Sequence, residues 1–139
     1  MSEVLFTAHA TAKGGRHGHV KSDDGVLDLN LVMPTEKTNE RGTNPEQLFA
    51  AAYASCYNGA LNLVASKKKM DVDTSVTADV SFLKDPEDKG FKIGVTLNVE
   101  VNGVSQEDAE MLAEEAHKVC PYSKATRGNI DVTLNPKAV

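Results

Sequence analysis

At 139 residues the chain has room for one compact domain of ordinary size, which excludes a two-domain enzyme. Its 40% hydrophobic and 25% charged residues fit a globular protein rather than a disordered or fibrous one, and a chain this long buries about 70% of its extended-state surface, so the fold needs no disulfide or metal staples. A formal net charge of -5, from 20 acidic against 15 basic side chains, gives no overall attraction for nucleic acid.

The start, Met1-Ser2-Glu3-Val4, lacks the basic segment and apolar stretch of a secretory signal, so the cytosol is the expected compartment. No repeat or linker divides the chain, and residues 1–139 read as a single domain. Alternating character from Val4 to Ala12 predicts a strand, and the period-two pattern Leu27, Leu29, Leu31 within Val26–Val32 predicts another. Between them lie a glycine-rich loop, Gly14-Gly15-Arg16-His17-Gly18, and a turn, Ser22-Asp23-Asp24-Gly25, so residues 18–32 read as a hairpin. The polar stretch 34–42 leads to the clearest helix start in the chain, Thr43-Asn44-Pro45-Glu46: Asn44 suits the cap, Pro45 the first helical position and Glu46 the positive first turn. From Leu48 the segment stays almost free of charge until Lys67-Lys68-Lys69, a solvated helix end. It predicts a helix buried around most of its circumference, too rich in alanine and polar residues to span a membrane.

Val72–Leu83 and Phe91–Val101 read as an antiparallel pair. A second helix begins at Ser105, with Asp108 as a capping-box variant, and runs through Leu112 and Ala116 to Val119, where Pro121 ends it. A last strand covers Ile130–Leu134. Strands, helix, strands, helix, strand is an α+β order.

Two cysteines stand out, Cys56 in the apolar helix and Cys120 at the exit of the next, 64 residues apart. That spacing is neither CxxC nor a four-cysteine zinc set. Two readings remain open: a pair of buried small hydrophobes, or a reactive pair in which one thiolate attacks and the other resolves the oxidised product as a transient disulfide. A thiol in mid-helix gains nothing from the helix N-terminus, so a reactive Cys56 requires a nearby cation. Arg16 in its glycine loop is the candidate, with Glu46 as a carboxylate that its guanidinium fork can face. Read blandly, Arg16 is a surface-loop arginine and Glu46 a first-turn acid. Glu46 lies about 15 Å from Cys56 along the helix axis, so the two do not touch as helix neighbours. The pairs His17/His19 and His117/Cys120 are metal-ligand types, but each offers two ligands and no third has motif spacing, so no metal is expected. Phosphate-binding loops and nucleophile elbows are missing from the pattern.

The stretches 43–56 (Thr43-Asn44-Pro45-Glu46 to Ser55-Cys56) and 119–132 (Val119-Cys120-Pro121-Tyr122 to Asp131-Val132), with Gly14-Gly15-Arg16 and Ser22–Gly25 in the same order, resemble the organic hydroperoxide resistance branch of the OsmC/Ohr family over essentially the whole chain. The resemblance implies an OsmC-like α+β fold with antiparallel sheets, a long buried central helix, and an intertwined homodimer with two active sites at the subunit interface. It implies a thiol-dependent peroxidase that reduces organic hydroperoxides, fatty-acid hydroperoxides included, to alcohols, binds no cofactor, and is re-reduced by a dihydrolipoyl group, free or on a lipoylated protein. Carried over by residue, Cys56 matches the peroxidatic cysteine, Cys120 the resolving cysteine, Arg16 the thiolate-stabilising arginine and Glu46 the acid that orients it. Nucleic acid and membrane are not expected as partners. The chain departs from the family pattern at residues 35–42, which are more charged and less glycine-rich, and at His17, where an acid is common.

Overall fold

The computed structural model describes residues 2–139, which form two compact units, one ending at Pro45 and one over residues 46–139. The first holds a three-stranded antiparallel sheet, β1 (Ala10–Lys13), β2 (His19–Ser22) and β3 (Asp28–Asn30), in that order. β2 and β3 form the expected hairpin, with Val20 opposite Leu29. The expected strand from Val4 shortens to Ala10–Lys13, because its partner β2 ends at Ser22, opposite Ala10, and the chain there turns away. Val4, Leu5 and Phe6 are left outside any strand and 76–86% exposed.

A 3₁₀ turn, Gly15–His17, joins β1 to β2 and carries Arg16. Gly14 holds φ at 77°, and a Cβ on Gly18 would lie 1.7 Å from the Lys13 carbonyl oxygen, so this tight return admits only glycine at position 18. The two departures from the family pattern meet here: His17 Nε2 lies 3.0 Å from Glu36 Oε1.

In the second unit, helix α1 (Pro45–Lys67) starts at the anticipated proline. It corrects one expectation. Tyr53, Tyr57, Ala60, Leu61, Val64 and Ala65 are buried, but Ala51, Ser55, Gly59, Asn62 and Leu63 are exposed. The apolar character around the helix comes from small residues, and this chain packs only one side. Strands β4 (Asp73–Lys84) and β5 (Phe91–Asn102) pair antiparallel over twelve residues, with Val76 opposite Val99 and Ala78 opposite Leu97. Val95, Leu97, Val99 and Val101 of β5 alternate into the core at 4% exposure or less.

Helix α2 (Gln106–Val119) is capped as expected, the Asp108 backbone N–H donating to Ser105 Oγ at 3.1 Å. Residues after Pro121 form a further helix, α3 (Pro121–Thr126), where the sequence predicts none: Pro121 ends α2 and serves as the first residue of the next helix. The last strand, β6 (Val132–Ala138), lies beside β5 and parallel to it, a departure from all-antiparallel sheets. Physically, β5, α2 and β6 make a crossover connection, and a strand reached through a helix returns in the same direction. No helix among the described residues is long and apolar enough to cross a membrane.

Candidate active site

The residue before a proline is excluded from helical geometry, and Cys120 accordingly takes extended angles, φ -61° and ψ 123°, between α2 and α3. Its N–H still donates to the Ala116 carbonyl at 2.8 Å and its carbonyl accepts from the Lys124 N–H at 3.0 Å, so the corner is held at both ends. The side chain turns inward with no exposure and reaches Cys56, the two sulfurs 3.7 Å apart. Both are free thiols, Cys56 half-buried and Cys120 buried. A disulfide requires about 2.05 Å, so the sulfurs need close by only about 1.7 Å.

Burial pushes the Cys56 thiol up, and the adjacent Cys120 pushes it further. The Tyr122 backbone N–H works the other way, favouring the thiolate. This amide is one of the unpaired donors at the start of α3, and sequence reasoning missed it. The signal was present in Pro121: a proline suited to a first helical position directs the next amides out of the helix start.

Arg16 lies half-buried on the 3₁₀ turn of the first unit, and Glu46 lies half-buried in the first turn of α1. Both engage other groups of the chain. The histidines considered as metal ligands are committed elsewhere. His17 faces Glu36, His19 faces Asn30 and Asp28, and His117 Nδ1 lies 2.8 Å from Ser123 Oγ. Burial lowers the His117 pKa, aided by the Arg127 guanidinium and opposed by Glu114. Among the described residues no three His, Cys, Asp or Glu side chains converge as a metal set.

An apolar cavity of about 450 Å³ is lined by Phe49, Ile93, Ala125 and Ile130 among others, together with Pro121 and Tyr122, the two residues that follow Cys120 in the chain. Phe49, Tyr53 and Tyr122 pack ring against ring with centroids 5.9–6.3 Å apart, and Phe49 and Tyr122 also line the cavity. The arrangement offers a centre of two paired thiols.

A family model described as OsmC-like protein matches residues 37–135. The chain is 55% identical over 135 residues to the organic hydroperoxide resistance protein OhrB of Bacillus subtilis, covering 96% of this chain and 99% of that protein. It is 57% identical over 137 residues to OhrA of the same organism, covering 96% and 97%. The crystal structure of Bacillus subtilis OhrB matches with a TM-score of 0.92 at 54% identity, covering 95% of this chain and 98% of that one.

Proposed function

The chain belongs to the OsmC/Ohr family, alongside relatives named for organic hydroperoxide resistance, and from that premise we propose that it is a thiol-dependent peroxidase reducing organic hydroperoxides to alcohols. The observation that carries the reading is the 3.7 Å approach of Cys56 to Cys120. The Cys56 thiolate attacks the outer peroxide oxygen, the O–O bond breaks, and the alkoxide leaves as an alcohol after taking a proton. Cys56 is then a sulfenic acid. The Cys120 thiol condenses with it, forming the Cys56–Cys120 disulfide and releasing water. A dihydrolipoyl dithiol, free or carried on a protein, restores both thiols and is oxidised to the cyclic disulfide. Sulfur carries every electron pair in this cycle, so no resident cofactor is required.

In this reading Arg16 supplies the cation that a buried Cys56 needs to ionise, and Glu46 orients the Arg16 guanidinium. The tail of the hydroperoxide occupies the apolar slot beside Phe49 and Tyr122, which favours an organic substrate over hydrogen peroxide. The working form is a homodimer. Support comes from the uncovered face of α1 and from the exposed Val4, Leu5 and Phe6, apolar surface that an intertwined second copy would cover. A disulfide that forms and is reduced in every cycle suits the cytosol, where thiols are kept reduced.

Steady-state consumption of an alkyl hydroperoxide tests the proposal. Turnover with dihydrolipoamide well above that with glutathione is expected. Oxidation of the two thiols once, without turnover with any dithiol, would instead make the protein a redox sensor of the same fold and sink the enzyme reading.

A further inference from the structure

The corner bearing Cys120 is tied to α1 and α2 by a set of hydrogen bonds, buried except at half-buried His117, that the peroxidase cycle, as described, does not use. Tyr53 Oη lies 2.8 Å from Ser123 Oγ and 3.1 Å from Thr126 Oγ1. The Thr126 hydroxyl donates to the Ser123 carbonyl at 3.2 Å, and His117 Nδ1 lies 2.8 Å from Ser123 Oγ. Tyr53 and Ser123 have no exposure and Thr126 has 6%.

Each hydroxyl carries one proton, which fixes the direction of every bond. Thr126 spends its proton on the Ser123 carbonyl, so Tyr53 must donate to Thr126. Ser123 must then donate to Tyr53, and the His117 Nδ1–H must donate to Ser123. The chain therefore runs one way, from His117 through Ser123 and Tyr53 to Thr126. It requires neutral His117 to be the Nδ1–H tautomer, the opposite of the one a free neutral histidine favours in water.

Its placement brackets both sulfurs. The His117–Ser123 bond straps the corner from three residues before Cys120 to three residues after it. Tyr53 anchors that strap to α1 three residues, about one helical turn, before Cys56. Three helices are pinned at one point beside the cysteine pair, and the same corner presents the Tyr122 amide to Cys56.

We propose that Tyr53, Ser123, Thr126 and His117 are positioning residues for the resolving step, holding Cys120 within reach of Cys56 so that disulfide formation outruns further oxidation. The inference rests on the peroxidase reading above. Two fates compete for the Cys56 sulfenic acid. Attack by the Cys120 thiol gives the disulfide and water; reaction with a second hydroperoxide gives the sulfinic acid and a second alcohol. The first is intramolecular and depends on where the corner is held; the second depends on hydroperoxide concentration.

The test measures, by intact-protein mass spectrometry, the ratio of sulfinic acid to disulfide after one exposure to cumene hydroperoxide at several concentrations. In Tyr53→Phe and Thr126→Val the ratio is expected to rise at least tenfold, while Thr126→Ser, which keeps the hydroxyl, stays close to the unaltered protein. Unchanged ratios in both Tyr53→Phe and Thr126→Val would overturn the proposal. Nitrogen-15 NMR of the unaltered reduced protein, which involves no substitution and no peroxide, should find His117 protonated on Nδ1; protonation on Nε2 overturns the hydrogen-bond direction and the proposal with it. If the unaltered protein forms neither disulfide nor sulfinic acid with the hydroperoxide, the peroxidase reading itself fails, and the positioning role falls with it.

Discussion

The sulfurs of Cys56 and Cys120 lie 3.7 Å apart across 64 residues of sequence, yet only Cys56 keeps any contact with solvent. In thiol–disulfide exchange the incoming thiolate must reach the sulfur that it attacks.

The first prediction concerns that choice of sulfur. The reductant should bond to Cys56 and expel the Cys120 thiolate. The unaltered protein, oxidised to the Cys56–Cys120 disulfide, treated with a single-thiol analogue of the lipoyl group and quenched in acid, should carry the mixed disulfide at Cys56 and not at Cys120. Peptide mapping reads this directly, and a protein in which Cys56→Ser removes the attacked sulfur should consume no hydroperoxide. Sustained turnover by Cys56→Ser would contradict the assignment.

Arg16 governs ionisation in the second prediction. Burial and the neighbouring Cys120 hold the Cys56 thiol above its ordinary value of about 9, and the Tyr122 amide opposes them. With Arg16→Ala, the pH midpoint for iodoacetamide alkylation of Cys56 should lie higher than in the unaltered protein. Coincident profiles would remove Arg16 from the role.

Tyr57 tests the packing between the helices. Its buried hydroxyl donates to the Ala113 carbonyl at 2.7 Å, tying α1 to α2, and burial pushes its pKa well up. Tyr57→Phe deletes one hydrogen bond and no volume, so urea unfolding should show a loss of about 1 kcal/mol. A loss near zero would mean that the bond contributes nothing net.

Acid should weaken the fold partly through His117. Its pKa is lowered in the folded state, so between that depressed value and the unfolded value of about 6.5 the unfolded chain binds more protons. Stability is therefore lost as pH falls below about 6.5 and is flat above it. His19 contributes with the opposite sign: Asn30 and Asp28 raise its pKa, so its contribution is complete below the unfolded value and disappears as pH rises through the folded one. Comparing urea midpoints at pH 5.5 and 7.5 in unaltered and His117→Gln protein isolates His117, and the pH-dependent loss should be smaller in the variant.

Much of the fold was legible locally. Pro45 at the start of α1, the Ser105 cap of α2 and the period-two runs of β4 and β5 are signals carried within a few residues, and each element formed where its signal lies. What escaped depended on distant partners. The residues from Val4 to Ala8 alternate as a strand does, but β2 is too short to pair with them. A six-residue helix such as α3 is too short to show a period. The alanine- and serine-rich face of α1 does not say what covers it, because small residues pack equally well against a neighbour or water.

For the site, the sequence by itself determined the chemistry available: two thiols in a domain large enough to fold without a disulfide, an arginine in a loop that Gly18 keeps tight, and motifs resembling one family. Only the tertiary structure decided that the thiols meet, which of them stays exposed, and that Tyr53, Ser123, Thr126 and His117 gather beside them. The division has a physical cause. Residue type and short-range spacing set what each group can do, whereas a 3.7 Å approach between residues 64 positions apart exists only after α1, α2 and α3 have buried their shared face.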